Sequence, residues 1–391
     1  MKIALISNEG GGISSVTAGL ANSLAKRKIE TTVFTGITHS GGKTEKLGDY
    51  LEIVRLPIPD FPPRNVWFQI LNFKKLVKAL GNCTVIHGVS PTASFGLTFC
   101  RNRIPKPFVA TIHDSFRPSQ RAFINQPLCS WTALDLGYYF IESPLMDFSM
   151  SRILSGSDHV TFCSHSVLSE INSFKNFDHN KTSVIYNGID FDEIESVRES
   201  ETEKTNGISI LYAGRLFWVK GVMLLLEAFD RLKVAEDVHL NIFGRGPMKQ
   251  KVEKFIIDHG LRDRVSYLGH VAHRKMISEI KSSDIVALPS LIEAQPMILL
   301  EAMACRKPVV AFDLPFSREL VSNMNNGLLA RAGDVNDLTS KLELLVSDGA
   351  LRHKIGQFAY CQVKKNHNWD IQVDKYLKVY ERAIETNDKT R

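Results

Sequence analysis

At 391 residues the chain exceeds what one ordinary hydrophobic core fills, and its length predicts two domains of about 150–200 residues each. The formal net charge of +6 divides into 19 Lys and Arg against 14 Asp and Glu over residues 1–190, and 29 against 28 over the remainder. No dense basic stripe of the kind a nucleic-acid binder carries is present, so the modest excess predicts anionic substrates or an anionic membrane surface instead.

The amino terminus, Met1-Lys2-Ile3-Ala4-Leu5-Ile6-Ser7-Asn8, turns polar too early for a secretory leader and reads as a first strand. No run approaches the roughly 18 uncharged apolar residues of a spanning helix, because the nearest, Trp131 to Met150, is broken by Asp135, Glu142 and Asp147. Cys83, Cys100, Cys129, Cys163, Cys305 and Cys361 are scattered, with no Cys-x-x-Cys pair and no histidines at ligand spacing. Reduced thiols, a cytoplasmic setting and no metal site are therefore expected.

In chain order, Ile3 to Ser7 reads as a buried strand, Gly10-Gly11-Gly12 as a loop, Ser14 to Lys28 as a helix with Val16, Leu20, Leu24 and Ala25 on one face, and Thr31 to Thr35 as a second strand. Such a βαβ unit places backbone N–H groups of a glycine loop where they can approach a phosphate. The Gly-x-Gly-x-x-Gly fingerprint and the acidic residue that closes the second strand of nicotinamide enzymes are both missing. Between Leu56 and Lys78, Phe61, Trp67, Phe68 and Phe73 alternate with Arg64, Lys74, Lys75 and Lys78, which fits either an interfacial amphipathic segment or a helix packed on the sheet with its basic face in solvent. Val85 to Gly88 and Phe108 to Ile112 read as buried strands, the latter running into His113-Asp114. Ser115 to Ser151 is longer than an ordinary βα connection, and long connections after site-bearing strands are often functional. Asp190-Phe191-Asp192 follows an Asn187-Gly188 turn and is formally an Asp-x-Asp string.

Residues 192–207 are charged and nearly free of apolar groups, as a connection between domains is. From Ile208 a second βα succession begins, with strands expected at 208–213, 239–243, 265–268, 285–288 and 308–312. Gly214-Arg215 ends the first of these, and Lys220-Gly221 opens the following helix, so two cations can converge on one anion. Gly244 and Gly246 flank Arg245 in a tight turn. Around residue 290 the chain reads PSLIEAQPMILLEAMAC, in which Pro296 suits the first turn of a helix. Glu293 falls in the loop before that helix and Glu301 more than a turn inside it, beside Leu300, where a carboxylate needs hydroxyl or N–H partners.

The spacing Glu293-x7-Glu301, followed by Pro308-Val309-Val310-Ala311, together with Gly214-Arg215…Lys220-Gly221 and Gly244-Arg245-Gly246-Pro247, resembles the donor-site pattern of retaining GT-B glycosyltransferases of family four, the glycosyl transferases group 1. The resemblance implies an α/β protein of GT-B fold, two Rossmann-like domains with parallel sheets facing each other across a cleft. Its domains would be an acceptor-side domain over 1–190, a linker over 191–207, a nucleotide-sugar domain over 208–368 and a last helix over 369–391 that crosses back to the first domain. It further implies that Gly11 and Gly12 face the donor diphosphate and the acceptor, that His113 lies near the donor sugar ring and the diphosphate, and that Arg215 and Lys220 neutralise the diphosphate. Glu293 would meet the sugar hydroxyls, Glu301 the ribose hydroxyls, and Gly214, Gly244, Gly246 and Leu300 would line the nucleotide. Arg306 stands where the family has glycine, and Gln295 where a small or aromatic residue is common.

The expected activity is metal-independent transfer of a sugar from a UDP- or GDP-linked donor to a glycan or lipid-linked acceptor, with retention by front-face attack. The protein would be cytoplasmic, with possible peripheral contact with anionic membrane, would need no cofactor, and would bind no nucleic acid. A non-catalytic protein of the same fold that scaffolds a glycan pathway stays open as the alternative.

Overall fold

A computed structural model describes residues 1–7, 12–37, 43–59, 64–98, 101, 103–113, 143–171, 178–199, 207–234 and 237–389. The chain divides into two compact units, Met1–Gly188 with Trp369–Arg391, and Ile189–Asn368.

In the first unit the strands are β1 (Lys2–Ile6), β2 (Glu30–Ile37), β3 (Lys43–Lys46), β4 (Leu51–Pro57), β5 (Val85–Gly88), β6 (Phe108–Ile112), β7 (His159–Phe162) and β8 (Thr182–Val184). Helices α1 (Gly12–Lys26), α2 (Arg64–Leu80), α3 (Pro91–Thr98), α4 (Ser143–Gly156) and α5 (His165–Ile171) fall between them. The strands form one sheet in the order β3-β4-β2-β1-β5-β6-β7-β8, and β3 is the antiparallel member. Continuous apolar runs such as Ile3-Ala4-Leu5-Ile6, fully buried, form these strands because a parallel sheet is covered on both faces and has no solvent side to alternate with.

Helix α2 follows the second of the two readings of its segment, a helix packed on the sheet with its basic face in solvent. Phe68 is 1% exposed and packs with Leu76, Leu80 and Ile86 in the core, whereas Leu71, Lys74, Lys75 and Lys78 face solvent. Phe61 and the side chains of Arg64 and Trp67 lie outside the described residues, as does most of the 115–151 connection.

The second unit begins with α6 (Phe191–Ser196), then β9 (Ile208–Ala213), a 3₁₀ turn (Trp218–Lys220), α7 (Val222–Asp230), β10 (Val238–Phe243), α8 (Lys249–Asp258), β11 (Val265–Gly269) and α9 (His273–Ser282). It continues with β12 (Ile285–Leu288), α10 (Met297–Ala304), β13 (Val309–Phe312), α11 (Pro315–Arg318), β14 (Leu328–Ala330), α12 (Val335–Ser347) and α13 (Gly349–Asn366). All six strands are parallel, in the order β11-β10-β9-β12-β13-β14. Counted within the unit this is 3-2-1-4-5-6, the doubly wound order.

Residues 191–196, expected to be linker, are instead a helix that belongs to this unit. Phe191, Ile194 and Val197 enter its core, and Asp190 caps the helix by accepting from the Glu193 N–H at 3.1 Å, which accounts for the first aspartate of the Asp-x-Asp string. Pro296 is the residue before α10 rather than within its first turn, with extended backbone at φ −74° and ψ 108°. Arg306 takes a left-handed φ of 60°, the conformation that favours the glycine which the resemblance leads one to expect there, and its guanidinium lies 3.9 Å from the centroid of the Tyr360 ring.

The last helix, α14 (Trp369–Lys389), belongs to the first unit. Its Trp369 indole packs where a Cβ on Gly19 or Gly188 would sit, Arg27 pairs with Asp374 at 2.8 Å, and Tyr380 Oη lies 2.8 Å from His87 Nδ1. His87 Nε2 in turn meets Thr111 Oγ1 at 2.6 Å, so the buried imidazole is satisfied on both nitrogens. Burial pushes its pKa down to about 3.

Candidate active site

At the centre of the second sheet β9 and β12 lie side by side, although two other strands, β10 and β11, come between them in the chain. Crossovers leave such a pair toward opposite faces, and a crevice opens outside the carboxyl ends of the strands, where open α/β sheets bind ligands. Two loops enter it, 214–221 after β9 and 289–296 after β12. The Leu291 N–H donates to the Val219 carbonyl at 2.7 Å and ties the two together. The Leu216 N–H donates to the Arg245 carbonyl at 3.0 Å, and the Gly244 N–H to the Gly269 carbonyl at 2.7 Å, so the ends of β10 and β11 join the same frame.

Two glycines permit this packing. Gly221 sits at φ 69°, and a Cβ there would overlap the Pro289 carbonyl oxygen. Gly244 sits at φ 144°, and a Cβ there would overlap the Gly214 carbonyl oxygen. Both clashes are with backbone, which cannot turn aside as a flexible side chain does.

The frame holds the charged residues. Lys220, the last residue of the 3₁₀ turn, places Nζ 2.6 Å from Glu293 Oε1 and donates to the Ile292 carbonyl at 3.3 Å. Ser290, fully buried, donates its hydroxyl to the same Glu293 oxygen at 2.9 Å. The side chains of Lys220 and Glu293 are only 12% and 15% exposed, so the pair is held with little screening by solvent. Beneath it, the Tyr212 hydroxyl lies 3.4 Å from the Arg215 carbonyl and 3.5 Å from that of Lys220, and burial together with the Glu293 charge raises its pKa far above the usual range. Tyr212 is thus a permanent hydrogen-bond donor under the loop. Arg215 differs from Lys220: it is exposed, lies 5.4 Å above the Phe217 ring, and makes no ion pair among the described residues.

Glu301, on α10, is 7% exposed, and its partner is His273, the first residue of α9, whose Nε2 lies 3.0 Å from Glu301 Oε1. His273 Nδ1 faces Glu193 Oε1 at 3.4 Å. The hydrogen bond that His273 donates to Glu301 and the charges of both carboxylates raise the His273 pKa to about 9. Leu300 is completely buried in the unit's core, so its side chain does not line a ligand site. Gln295 is also turned inward, its Nε2 3.4 Å from His367 Nδ1.

The structure therefore groups Gly214, Arg215, Lys220, Gly244, Gly246 and Glu293 at one sheet end. His113 and Gly12 belong to the first unit. His113 stands just past the carboxyl end of β6, is 9% exposed, and has neither ring nitrogen hydrogen-bonded among the described residues; burial lowers its pKa to about 4. Gly12 opens α1, while Gly11 and Asp114 lie outside the described residues. Sequence reasoning did not find Ser290, Tyr212 or His273. Ser290 had a local signal, three residues ahead of Glu293 and just after a strand, but nothing local marks His273 as the partner that Glu301 required.

Two solved structures superpose on nearly the whole chain. Sucrose-phosphate synthase from Thermosynechococcus elongatus matches with a TM-score of 0.82 and 19% identity, covering 98% of each chain. Anabaena Alr3699/HepE in complex with UDP-glucose matches with a TM-score of 0.74 and 18% identity, covering 97% of this chain and 99% of that one. At such identities the likeness is one of fold, and the fold is GT-B, a two-domain architecture of glycosyltransferases. A family model described as Glycosyltransferase Family 4 matches residues 10–193, and one described as Glycosyl transferases group 1 matches residues 193–362. The chain belongs to the glycosyl transferases group 1 family. An uncharacterized glycosyltransferase of Methanocaldococcus jannaschii, MJ1607, is 30% identical over 239 residues, and the match spans 59% of this chain and 61% of that protein.

Proposed function

We propose that the protein transfers a sugar from a UDP- or GDP-linked donor to a glycan or lipid-linked acceptor, with retention at the anomeric carbon and without a metal. The observation that carries this reading is the arrangement at the switch point of the second sheet: an exposed Arg215 without an ion-pair partner among the described residues, beside a Lys220 already joined to Glu293. Arg215 and Lys220 bind the donor diphosphate and stabilise the negative charge that develops on it as the glycosidic bond breaks, work that positioned cations perform with no reorganisation during reaction. Glu293 accepts from the sugar hydroxyls, Glu301 accepts from the ribose hydroxyls, and the backbone at Gly214, Gly244 and Gly246 admits the nucleotide closely.

In the transfer step the acceptor oxygen bonds to the anomeric carbon, the bond from that carbon to the diphosphate oxygen breaks, and the acceptor proton passes to the departing diphosphate. Glu293 is a positioning group here and not a nucleophile, since its Oε1 is committed to Lys220 and Ser290. His113, buried and neutral above about pH 4, offers hydrogen-bonding ring nitrogens to the sugar. The exposed Leu71, Lys74, Lys75 and Lys78 on α2 support peripheral contact with an anionic membrane at the cytoplasmic face, and no described helix is long and apolar enough to cross one.

UDP, GDP and ADP, each with and without magnesium, are screened by thermal shift, followed by transfer from the matching nucleotide sugars with the product anomer read by NMR. One nucleotide is expected to stabilise the protein by about 2.7 kcal/mol at a hundred times its Kd, with or without magnesium. A shift that requires magnesium, or a product of inverted configuration, refutes the corresponding part of the reading. Nucleotide binding with no transfer to any glycan or lipid-linked sugar would make the protein a non-catalytic scaffold.

A further inference from the structure

We propose that His273 is a positioning residue for nucleotide binding: its imidazolium, held between Glu193 and Glu301, fixes the Glu301 carboxylate for the ribose and offsets its charge. The inference rests on the assignment of Glu301 to the ribose made above.

The geometry defines the protonation state. Nε2 faces one carboxylate oxygen at 3.0 Å and Nδ1 another at 3.4 Å. A carboxylate can only accept, so a ring with an acceptor at both nitrogens donates from both and carries a charge. His273 is the first residue of α9, the end of a helix where a cation is disfavoured by the backbone dipole, and Ala272 before it offers no side-chain cap. The site therefore holds a charge that its own helix opposes. The two carboxylates come from two other helices, α6 and α10, and offset that cost.

The surrounding charges are accounted for. On α9 itself, Arg274 is exposed, Lys275 pairs with Glu279 at 2.6 Å, and Lys281 donates to the Val197 carbonyl at 2.5 Å. Arg306, Lys307 and Lys281 act on Cys305, one turn beyond Glu301 and just past the end of α10, and the groups that act on His273 are Glu301 and Glu193. The consequence for a ligand is direct. Glu301 is nearly buried, and without His273 it would present an unbalanced negative charge to a nucleotide that carries two phosphates. With the imidazolium in place one carboxylate oxygen is committed to His273, and the other is left to accept from hydroxyls. The sign follows: nucleotide affinity is highest while His273 is charged and falls as the pH rises through about 9.

The test is calorimetric titration of UDP, GDP and ADP into the full chain at pH 7 to 10, for wild type, His273→Gln and His273→Arg. For whichever nucleotide binds, the wild type is expected to lose affinity by about threefold to tenfold relative to His273→Arg over this range, the size of one partly exposed ion pair. His273→Gln should be weaker than wild type by the same factor at pH 7 and converge with it at pH 10, whereas the permanently charged arginine should restore binding across the range. Ionisation of the base enters all three profiles equally and cancels in their ratios. A wild type whose profile parallels that of His273→Gln throughout overturns this inference and leaves the transferase reading intact. Failure of all three nucleotides to bind wild type overturns both.

Discussion

Removing the charge of Lys220 while keeping most of its length, as Lys220→Met, separates the two things that this residue does. Nζ lies 2.6 Å from Glu293 Oε1, and both side chains are more than four-fifths buried. The substitution leaves Glu293 with Ser290 alone, and an uncompensated carboxylate at that depth is expected to cost about 2–3 kcal/mol, somewhat under the range for fully buried pairs. Transfer should suffer independently, since one cation aimed at a developing negative charge is worth about 3 kcal/mol, or roughly a hundredfold in kcat. The double variant Lys220→Met with Glu293→Gln distinguishes the two effects. It removes the stranded charge, so stability should recover by about 1–2 kcal/mol relative to the single variant, while turnover stays low or falls further. Urea unfolding gives the first quantity and single-turnover transfer the second. If the double variant is no more stable than Lys220→Met, the pair is not held as described. If Lys220→Met turns over within threefold of wild type, the cation does not serve the leaving group.

Two further outcomes are expected. Gly221→Ala and Gly260→Ala each force alanine into a left-handed conformation, at φ 69° and 65°, but only the first drives a Cβ into backbone; Gly260 has nothing within 4 Å. Thermal melting should show Gly260→Ala destabilised by about 1–2 kcal/mol and Gly221→Ala by clearly more, with loss of transfer in the latter alone; equal effects would mean that the 214–221 and 289–296 loops are not in the contact described. His87, His113 and His159 are held neutral by burial, with pKa values of about 3, 4 and 4 against 6.5 when unfolded. The unfolded chain thus binds protons that the folded chain excludes, so stability is unaffected above pH 6.5 and drops as the pH falls below it, by about 2 kcal/mol at pH 5 for each of His87 and His113. A flat stability profile between pH 6.5 and 5 would count against this account.

Much of the fold could be read from the chain because its strands are parallel and buried on both faces, so each appears as an unbroken apolar run. Val85–Gly88, Phe108–Ile112 and Ile285–Leu288 fall where those runs are. The reading failed where burial depends on distant partners. Phe191 and Ile194 lie in an acidic stretch with little apolar content, and they become core only because Tyr360 and its neighbours on α13 come to meet them. For the basic-aromatic segment the chain left two readings open, and only the helix's rotation against the sheet decides for the packed helix, with Phe68 inward and Lys74, Lys75 and Lys78 in solvent.

At the candidate site the division has the same cause. Arg215, Lys220, Glu293 and Glu301 were visible in the sequence because each sits at a fixed offset from a strand end or a helix start, a local relation that spacing preserves. That Glu301 needs a partner was also foreseeable, since a carboxylate on a buried helix face cannot stand alone. Which residue answers that need was not: His273 reaches Glu301 only after α9 and α10 pack side by side, and Lys220 reaches Glu293 only because β9 and β12 are neighbours in the sheet though far apart in the chain. Sequence determines the chemistry available at each strand end, and the order in which the strands assemble determines which of those ends share a site.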